Sequence, residues 1–217
     1  MSIKTIYAQL RAAGMTKEGA CGLMGNMMAE SAMIAGNAQD SCHVDDEAYT
    51  SETDSGLNDF AGDGIGYGLC QWTEASRKRK LLDYAKAQGC SVADEDMQVR
   101  FCIRELREDF RGIWDLLRGS GDLLACTREV LNVYENPAVK NLATRLEYAR
   151  QAMAYFDYIG EEAAPREEER GPDPVVMAMQ LILSVRGLWD EPDGFPSPAF
   201  AAALRAYIGE LEAKRYD

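Results

Sequence analysis

The chain has 217 residues, 47% of them apolar, which is enough for one sizeable hydrophobic core and a small appendage. Its 36 acidic and 23 basic residues give a net charge of −13, and this negative excess argues against nucleic acid as a partner. No apolar run is long enough to span a bilayer. The first residues also lack the apolar stretch and cleavage site of a secretory signal, so we expect synthesis in the cytoplasm.

The six cysteines are spread along the chain without a Cys-x-x-Cys pair, which favours reduced and mostly buried thiols. His43, the only histidine, follows Cys42, but no further ligands lie nearby at zinc spacing. We therefore expect neither a metal ion nor another cofactor.

Helical periodicity predicts a short amphipathic helix over residues 2–13 and a second helix over 16–33, with Thr16 as its N-cap. The next stretch, about 35–68, is polar and rich in glycine, which favours loops and a small hairpin. Four further helices are predicted, over about 73–88, 94–110, 122–133 and 138–159. This order predicts a mainly α-helical fold, in which a bundle surrounds the second helix beside a small irregular or β lobe.

The one basic run of the chain, Arg77 to Lys80, lies inside the predicted helix over 73–88. We expect this run to cover a solvated face of the helix. A local role against an anionic polymer is the alternative.

The composition divides the chain into three parts. Residues 1–160 hold the predicted bundle, and residues 161–173 are acidic and contain proline, which is typical of a linker. Residues 174–217 form two short helical patterns. A piece of this size is too short to build a large core alone, so we expect it to dock on the main domain, to oligomerise or to be marginally stable.

Glu30 lies on the same side of the second predicted helix as apolar side chains. At about 100° per residue, Leu23 and Met27 belong to one apolar stripe, and Glu30 continues it. A carboxyl group among apolar neighbours keeps its proton near neutral pH, which suits a general acid that protonates a leaving oxygen. The alternative is a partly buried glutamate that pairs with an arginine, or a helix-end residue that reaches water.

Two further segments carry residue types that suit sugar binding. In the segment 64–73, Tyr67 and Trp72 offer flat faces for stacking on sugar rings, and Gln71 can donate and accept hydrogen bonds. The alternative for this segment is a turn that leads into a helix, with its aromatic side chains in the core. Tyr134, in the segment 132–138, stands at a predicted helix junction, where a tyrosine taken alone has a packing role more often than a recognition role.

Three motifs together resemble a known family. They are Gly-Asn-Met-Met-Ala-Glu-Ser at 25–31, Gly-Tyr-Gly-Leu-Cys-Gln-Trp-Thr at 66–73 and Tyr-Glu-Asn-Pro at 134–137. In this order they resemble the phage tail lysozyme family, within the wider superfamily of lysozymes and lytic transglycosylases. Cys70 is a mild departure, because the related pattern tends to have methionine or another apolar residue there.

The resemblance covers roughly residues 10–155, and it implies a mainly α-helical, α+β lysozyme-like fold for the predicted domain 1–160. It implies cleavage of the β-1,4 bond between N-acetylmuramic acid and N-acetylglucosamine in peptidoglycan. Glu30 matches the catalytic acid of the family. Further matches fall on positions that line the family's cleft: Ser31, Gly68, Gln71 and Tyr134.

A second catalytic carboxylate is harder to assign. Retaining glycosidases place their two carboxyl groups about 5 Å apart and inverting ones roughly 6.5–9.5 Å apart. Asp54, Asp59 and Asp63 lie in the relevant stretch, and Asp63 is favoured because it is nearest to the glycine-rich turn. A lytic transglycosylase, which needs a single acid–base glutamate and forms 1,6-anhydro products, is therefore an open alternative. A non-catalytic virion or wall-binding protein with the same fold is another.

Residues 174–217 resemble small helical peptidoglycan-binding domains, although Pro196 stands where that pattern has glycine and one helix is missing. A helical pair that packs on the catalytic domain or on a partner is the alternative. The expected partners of the whole chain are peptidoglycan glycan strands and phage tail proteins. We expect it to act on the cell wall, as a virion component or after holin-type release.

Overall fold

The computed structural model describes residues 3–39 and 42–159, which form eight α-helices and one π-helix. These ranges contain isolated β-bridges but no strand, which confirms the mainly α-helical prediction. None of the described helices combines the length and apolar character that crossing a membrane requires. The predicted linker 161–173 and the piece 174–217 lie outside the described residues. In chain order the helices are α1 Ile3–Ala12, α2 Lys17–Ser31, α3 Asp46–Asp54, α4 Ala75–Gln88, α5 Glu95–Glu108, α6 Arg111–Gly119, α7 Leu123–Glu129, the π-helix Val130–Glu135 and α8 Leu142–Ile159.

Helix α2 is the buried centre of the described fold. The Thr16 side chain accepts a hydrogen bond from the Gly19 backbone N–H at 2.9 Å, so the predicted N-cap is confirmed. The helix ends at Ala32, which adopts a left-handed conformation with φ of 51°. Most side chains of α2 are buried, and Glu30 stands in its last turn, where the helix reaches the surface.

A row of glycines lets α2 pack closely against its neighbours. A Cβ atom at Gly19 would lie 2.0 Å from the Leu117 carbonyl oxygen of α6. A Cβ atom at Gly25 would lie 2.5 Å from the Arg145 carbonyl oxygen of α8. Only glycine permits these backbone approaches. The contact at Gly25 brings Arg145 alongside the end of α2 that carries Glu30.

The described residues of the glycine-rich stretch, 35–39 and 42–68, form more regular structure than their composition predicts. They include α3, capped by the Asp45 side chain, which accepts from the Ala48 backbone N–H at 2.8 Å. In place of the expected hairpin, the described residues of this stretch show isolated bridges of Tyr67 with Ala38 and with Trp72. Helix α6 is also absent from the sequence prediction, although its buried side chains Ile113, Trp114 and Leu117 recur at helical spacing.

The π-helix continues α7 and ends at Asn136, which adopts a left-handed conformation with φ of 44°. A π-turn widens the helix and changes which side chains point inward, and such turns are frequent at functional sites. Here Tyr134 points into the core, and Glu135 and Pro137 reach the surface of a cleft. The predicted helix over 122–133 is therefore two elements of different pitch.

Candidate active site

A cleft of about 540 Å³ opens where α2 ends, beside the glycine-rich segment and the end of the π-helix. All three sequence motifs contribute to its wall, which brings together residues more than a hundred positions apart. Two carboxyl groups, three amides and a hydroxyl give the wall a mixed polar character. Its residues are Glu30, Asn37, Gln39, Cys70, Gln71, Thr73, Glu135, Pro137 and Ala138.

Glu30 lines this cleft, with 15% of its side chain exposed. Its Oε1 atom accepts a hydrogen bond of 2.6 Å from Nη2 of Arg145, and the two side chains form an ion pair. This contact corrects the expectation of purely apolar surroundings for Glu30. The structure has the stated alternative, a partly buried glutamate that pairs with an arginine.

Asn26 fixes the arginine that holds Glu30. Arg145 donates from Nη1 to Oδ1 of Asn26 at 3.1 Å. The Asn26 amide in turn donates to the backbone carbonyls of Gly22 and Thr127. A cation fixed from behind in this way sets the orientation of the Glu30 carboxylate. The first motif thus supplies a carboxylate and, through Gly25 and Asn26, the means of positioning it.

Gln71 also lines the cleft, as the sequence predicts. Its amide nitrogen donates to Oδ1 of Asn37 at 2.8 Å and lies within hydrogen-bond distance of the Gly68 carbonyl. Gly68 itself lies behind the wall and has φ of +76°. A Cβ atom there would lie 2.5 Å from the buried Gln98 amide, so Gly68 shapes the turn and does not face the cleft.

The two aromatic residues of the same segment are fully buried. Tyr67 packs against Tyr49 and Phe60, and its hydroxyl lies 2.6 Å from that of Thr50. Trp72 donates from its indole N–H to Glu105 at 3.0 Å. Neither ring has a face open for stacking on a sugar. This corrects the predicted binding role and agrees with the alternative of core aromatics.

Ser31 and Tyr134 support the site from within the core. The Ser31 hydroxyl donates to the Leu69 carbonyl at 3.1 Å and so ties the end of α2 to the glycine-rich segment. The Tyr134 hydroxyl donates to Oε2 of Glu105 at 2.7 Å, and the ring is 1% exposed. Both positions lie behind the cleft wall, so their match to cleft-lining positions of the family does not make them surface contacts here.

Asp63 neutralises a buried lysine and is not part of the cleft wall. Its carboxylate accepts from Lys78 Nζ and from the Tyr49 hydroxyl, both at 2.5 Å. Lys78 is fully buried, which lowers the pKa of its ammonium group, and the ion pair with Asp63 opposes that shift. The favoured second carboxylate is thus engaged elsewhere. The predicted solvated basic run also contains a core residue, because helical register turns Lys78 inward.

Glu135 is the cleft carboxyl that the sequence analysis did not select. Its Oε1 atom is shielded from solvent and has no hydrogen-bond partner among the described residues. Burial raises the pKa of Glu135 well above its ordinary value of 4.5, and the negative charge of Glu30 raises it further, while Arg77 opposes the shift. The sequence signal that could have identified Glu135 is its place in the Tyr-Glu-Asn-Pro motif. The π-turn that positions its side chain in the cleft has no simple sequence pattern.

One protein family matches most of this chain. The phage tail lysozyme family matches residues 2–156, a range that includes every residue of the cleft wall. The match confirms the resemblance that the three motifs indicate. A family of this description indicates a lysozyme-type role in the lysis of peptidoglycan. The chain therefore belongs to the phage tail lysozyme family.

Proposed function

We propose that this protein is a muramidase that cleaves the β-1,4 bond between N-acetylmuramic acid and N-acetylglucosamine, with Glu30 as the general acid. The observation that carries the proposal is the position of Glu30, which stands in the wall of a polar cleft and is held there by Arg145. The family match, which includes the Glu30 motif, supports the same reaction.

The remaining cleft residues suit a carbohydrate. The volume of about 540 Å³ falls in the usual range of ligand pockets, which is about 300–1,000 Å³. Asn37, Gln39 and Gln71 carry amides, and Thr73 carries a hydroxyl. Amides and hydroxyls both donate and accept hydrogen bonds, as sugar hydroxyl and N-acetyl groups do.

In the proposed reaction Glu30 gives a proton to the glycosidic oxygen as its bond to the anomeric carbon breaks. The bonding electrons remain on that oxygen, and water adds to the anomeric carbon. Proton donation of this kind contributes about 10²–10⁴-fold to rate. The Glu30 carboxylate is ion-paired in the structure, so the site must supply the proton that it delivers.

Glu30→Gln tests this function, because glutamine keeps the size of the side chain and cannot act as the acid. We expect turbidity loss of purified cell walls to fall by about 10²-fold or more, with an unchanged circular dichroism spectrum. Glu147→Gln is the matched control, because Glu147 is an exposed glutamate on α8, the helix that carries Arg145. Full lytic activity of the Glu30→Gln variant would remove Glu30 from the mechanism.

Product mass separates the muramidase from the lytic transglycosylase alternative. Hydrolysis adds one water to each cleaved bond, whereas transglycosylation leaves a 1,6-anhydro end. The transglycosylase remains a second candidate because Asp63, the expected second carboxylate, is engaged by Lys78, and that reaction needs only one acid–base carboxyl. No product from the wild-type chain under any condition would instead favour a wall-binding virion protein.

The place of action belongs to the same proposal. The substrate is the glycan strand of peptidoglycan, and the partners are phage tail proteins. The protein would reach the wall as a tail component or after holin-type release. Detection of the chain in purified virions by mass spectrometry would favour the first route over the second.

A further inference from the structure

We propose that Glu135 is the second carboxyl group of this site, and that Glu30 and Glu135 together hold one proton, which Glu30 delivers to the leaving oxygen. This inference rests on the proposed function and assigns the source of its proton. It also replaces Asp63 as the partner of Glu30.

The placement of the two carboxyl groups is the first argument. Glu30 comes from the last turn of α2 and Glu135 from the last residue of the π-helix, and both belong to the wall of one cleft. Among the described residues, they are the acidic side chains of that wall. A substrate that fills the cleft therefore meets both of them.

The hydrogen-bond partners of the two groups are the second argument. Glu30 accepts from Arg145, whereas Oε1 of Glu135 is buried without a partner among the described residues. An ionised carboxylate oxygen in such a place would lack both solvent and a donor. The neutral acid form of Glu135 avoids that cost, and it can donate through its own O–H group.

The charges around Glu135 are the third argument. The titratable and charged groups that act on it electrostatically are Glu30 from α2, Arg77 from α4, Arg145 from α8 and the thiols of Cys102 from α5 and of Cys70 from the cleft wall. Arg77 is bonded to a different acid, because it donates from Nε and Nη2 to Glu105 at 2.7 and 2.8 Å. The arginine from α8 is bonded to Glu30. Neither cation forms a direct bond with Glu135, and two neighbouring carboxyl groups with one directly bonded cation favour a shared proton.

The proton balance closes over one turnover. The proton leaves the carboxyl pair for the glycosidic oxygen, whose bond to the anomeric carbon breaks with the electron pair on oxygen. Water then adds to that carbon and returns one proton to the pair. The pair begins and ends with one proton, and neither glutamate is consumed.

The first experiment measures the pH dependence of wall lysis by the full-length chain, comparing wild type, Glu135→Gln and the Glu147→Gln control. In the Glu135→Gln variant, Glu30 must hold the proton alone beside the Arg145 cation. We expect activity at neutral pH to fall by about 10²-fold or more and the alkaline loss of activity to move to lower pH. The control keeps the wild-type profile. Glu135→Asp restores part of the wild-type alkaline limb.

The second experiment does not depend on activity. Carbon-13 NMR of the glutamate carboxyl carbons follows the titration of Glu135, whose signal is assigned through its covalent bonds to the sequentially assigned backbone of residue 135. In the wild-type chain we expect Glu135 to titrate above 4.5, its ordinary value. Glu30→Gln removes a neighbouring negative charge, so the titration should move to lower pH in that variant. A Glu135 signal that titrates like a free glutamate in both proteins overturns the inference.

The outcomes separate this inference from the proposed function. If Glu30→Gln keeps full activity, the proposed function fails. If Glu30→Gln is inactive while Glu135→Gln keeps the wild-type rate and alkaline limb, only the inference fails. If Glu135→Gln loses its circular dichroism spectrum, the NMR titration of the wild-type chain and Glu30→Gln decides.

Discussion

The described residues contain two groups of buried carboxyl side chains with neighbouring arginines. They differ in how many hydrogen-bond donors each carboxyl group has. In the support network, made of Trp72, Arg77, Glu105 and Tyr134, one carboxylate accepts hydrogen bonds from an indole, a guanidinium and a phenol. In the carboxyl pair, made of Glu30 and Glu135, one member binds Arg145 and the other has a buried oxygen without a partner among these residues. The carboxyl pair is part of the cleft wall, and the residues of the support network are not.

This difference indicates which group is structural and which is chemical. Glu105 is 2% exposed, and both of its oxygens accept hydrogen bonds from the side chains around it, so its role is structural. Glu135 lacks such donors on Oε1, and its proton is the simplest way to satisfy that atom. A fully bonded buried network rigidifies the core, whereas an unpaired buried polar atom is costly at low dielectric.

The largest effect on stability is expected in the support network. Glu105→Gln leaves the buried Arg77 guanidinium without its counter-charge and replaces one of the two oxygens that accept from it with an amide donor. Breaking a buried pair in this way costs about 3–5 kcal/mol of unfolding free energy. Equilibrium unfolding in urea measures this loss of unfolding free energy. A loss as small as that of an exposed control such as Glu147→Gln would mean that the network is not structural.

The next effect distinguishes Asp63 from Glu135. Asp63→Asn leaves the buried Lys78 ammonium without a counter-charge, and Asp63 itself is 19% exposed in its side chain, so we expect a loss of about 3 kcal/mol. The rate of wall lysis per folded molecule and its pH profile should stay as in the wild type. A shifted pH profile with unchanged stability would return Asp63 to the catalytic role that the sequence predicted.

A smaller effect tests Tyr134. Tyr134→Phe keeps the ring that lies 4.6 Å below the Arg77 guanidinium and removes the hydroxyl that donates to Glu105. The lost hydrogen bond to a charged group should cost about 1.5–3 kcal/mol. Because the ring is buried, KM for soluble peptidoglycan fragments should not change. A raised KM with unchanged stability would show that the hydroxyl contacts the substrate.

The smallest effect is a change in the slope of stability with pH. The folded state raises the pKa of Glu135, so above 4.5, the ordinary value, the unfolded chain loses that proton first and wild-type stability falls as pH rises. Glu135→Gln removes this contribution. The melting temperature of the variant relative to wild type should therefore increase from pH 4 to pH 7, to a limited extent because Glu135 is partly exposed. A constant difference would contradict the raised pKa.

The sequence predicts the parts of this molecule that depend on local signals. Thr16 caps α2 as predicted, because a capping side chain acts on the end of its own helix. Glu30 could be placed from the sequence because the regular repeat of α2 determines which face of the helix carries residue 30. Gln71 reaches the cleft because the turn at Gly68 is encoded within the segment.

The rest depends on contacts between distant segments. Lys78 lies in a basic run, but its burial follows from Asp63, which is fifteen residues earlier. From the sequence alone, the rings of Tyr67 and Trp72 could equally be exposed in the cleft or buried in the core. Their burial follows from contacts with distant residues, including the hydrogen-bond partners Thr50 and Glu105. Glu135 needs a π-turn to enter the cleft, and no propensity scale marks such a turn.

The most direct test of the account is the structure of the Glu30→Gln variant with a bound peptidoglycan fragment. The glutamine keeps the shape of the cleft and stops turnover. We expect the glycosidic oxygen within about 2.6–3.2 Å of the residue 30 side chain, with the Glu135 carboxyl in the same cleft beside the sugar. A fragment bound elsewhere, with this cleft empty, would contradict the assignment of Glu30 and Glu135 to the reaction.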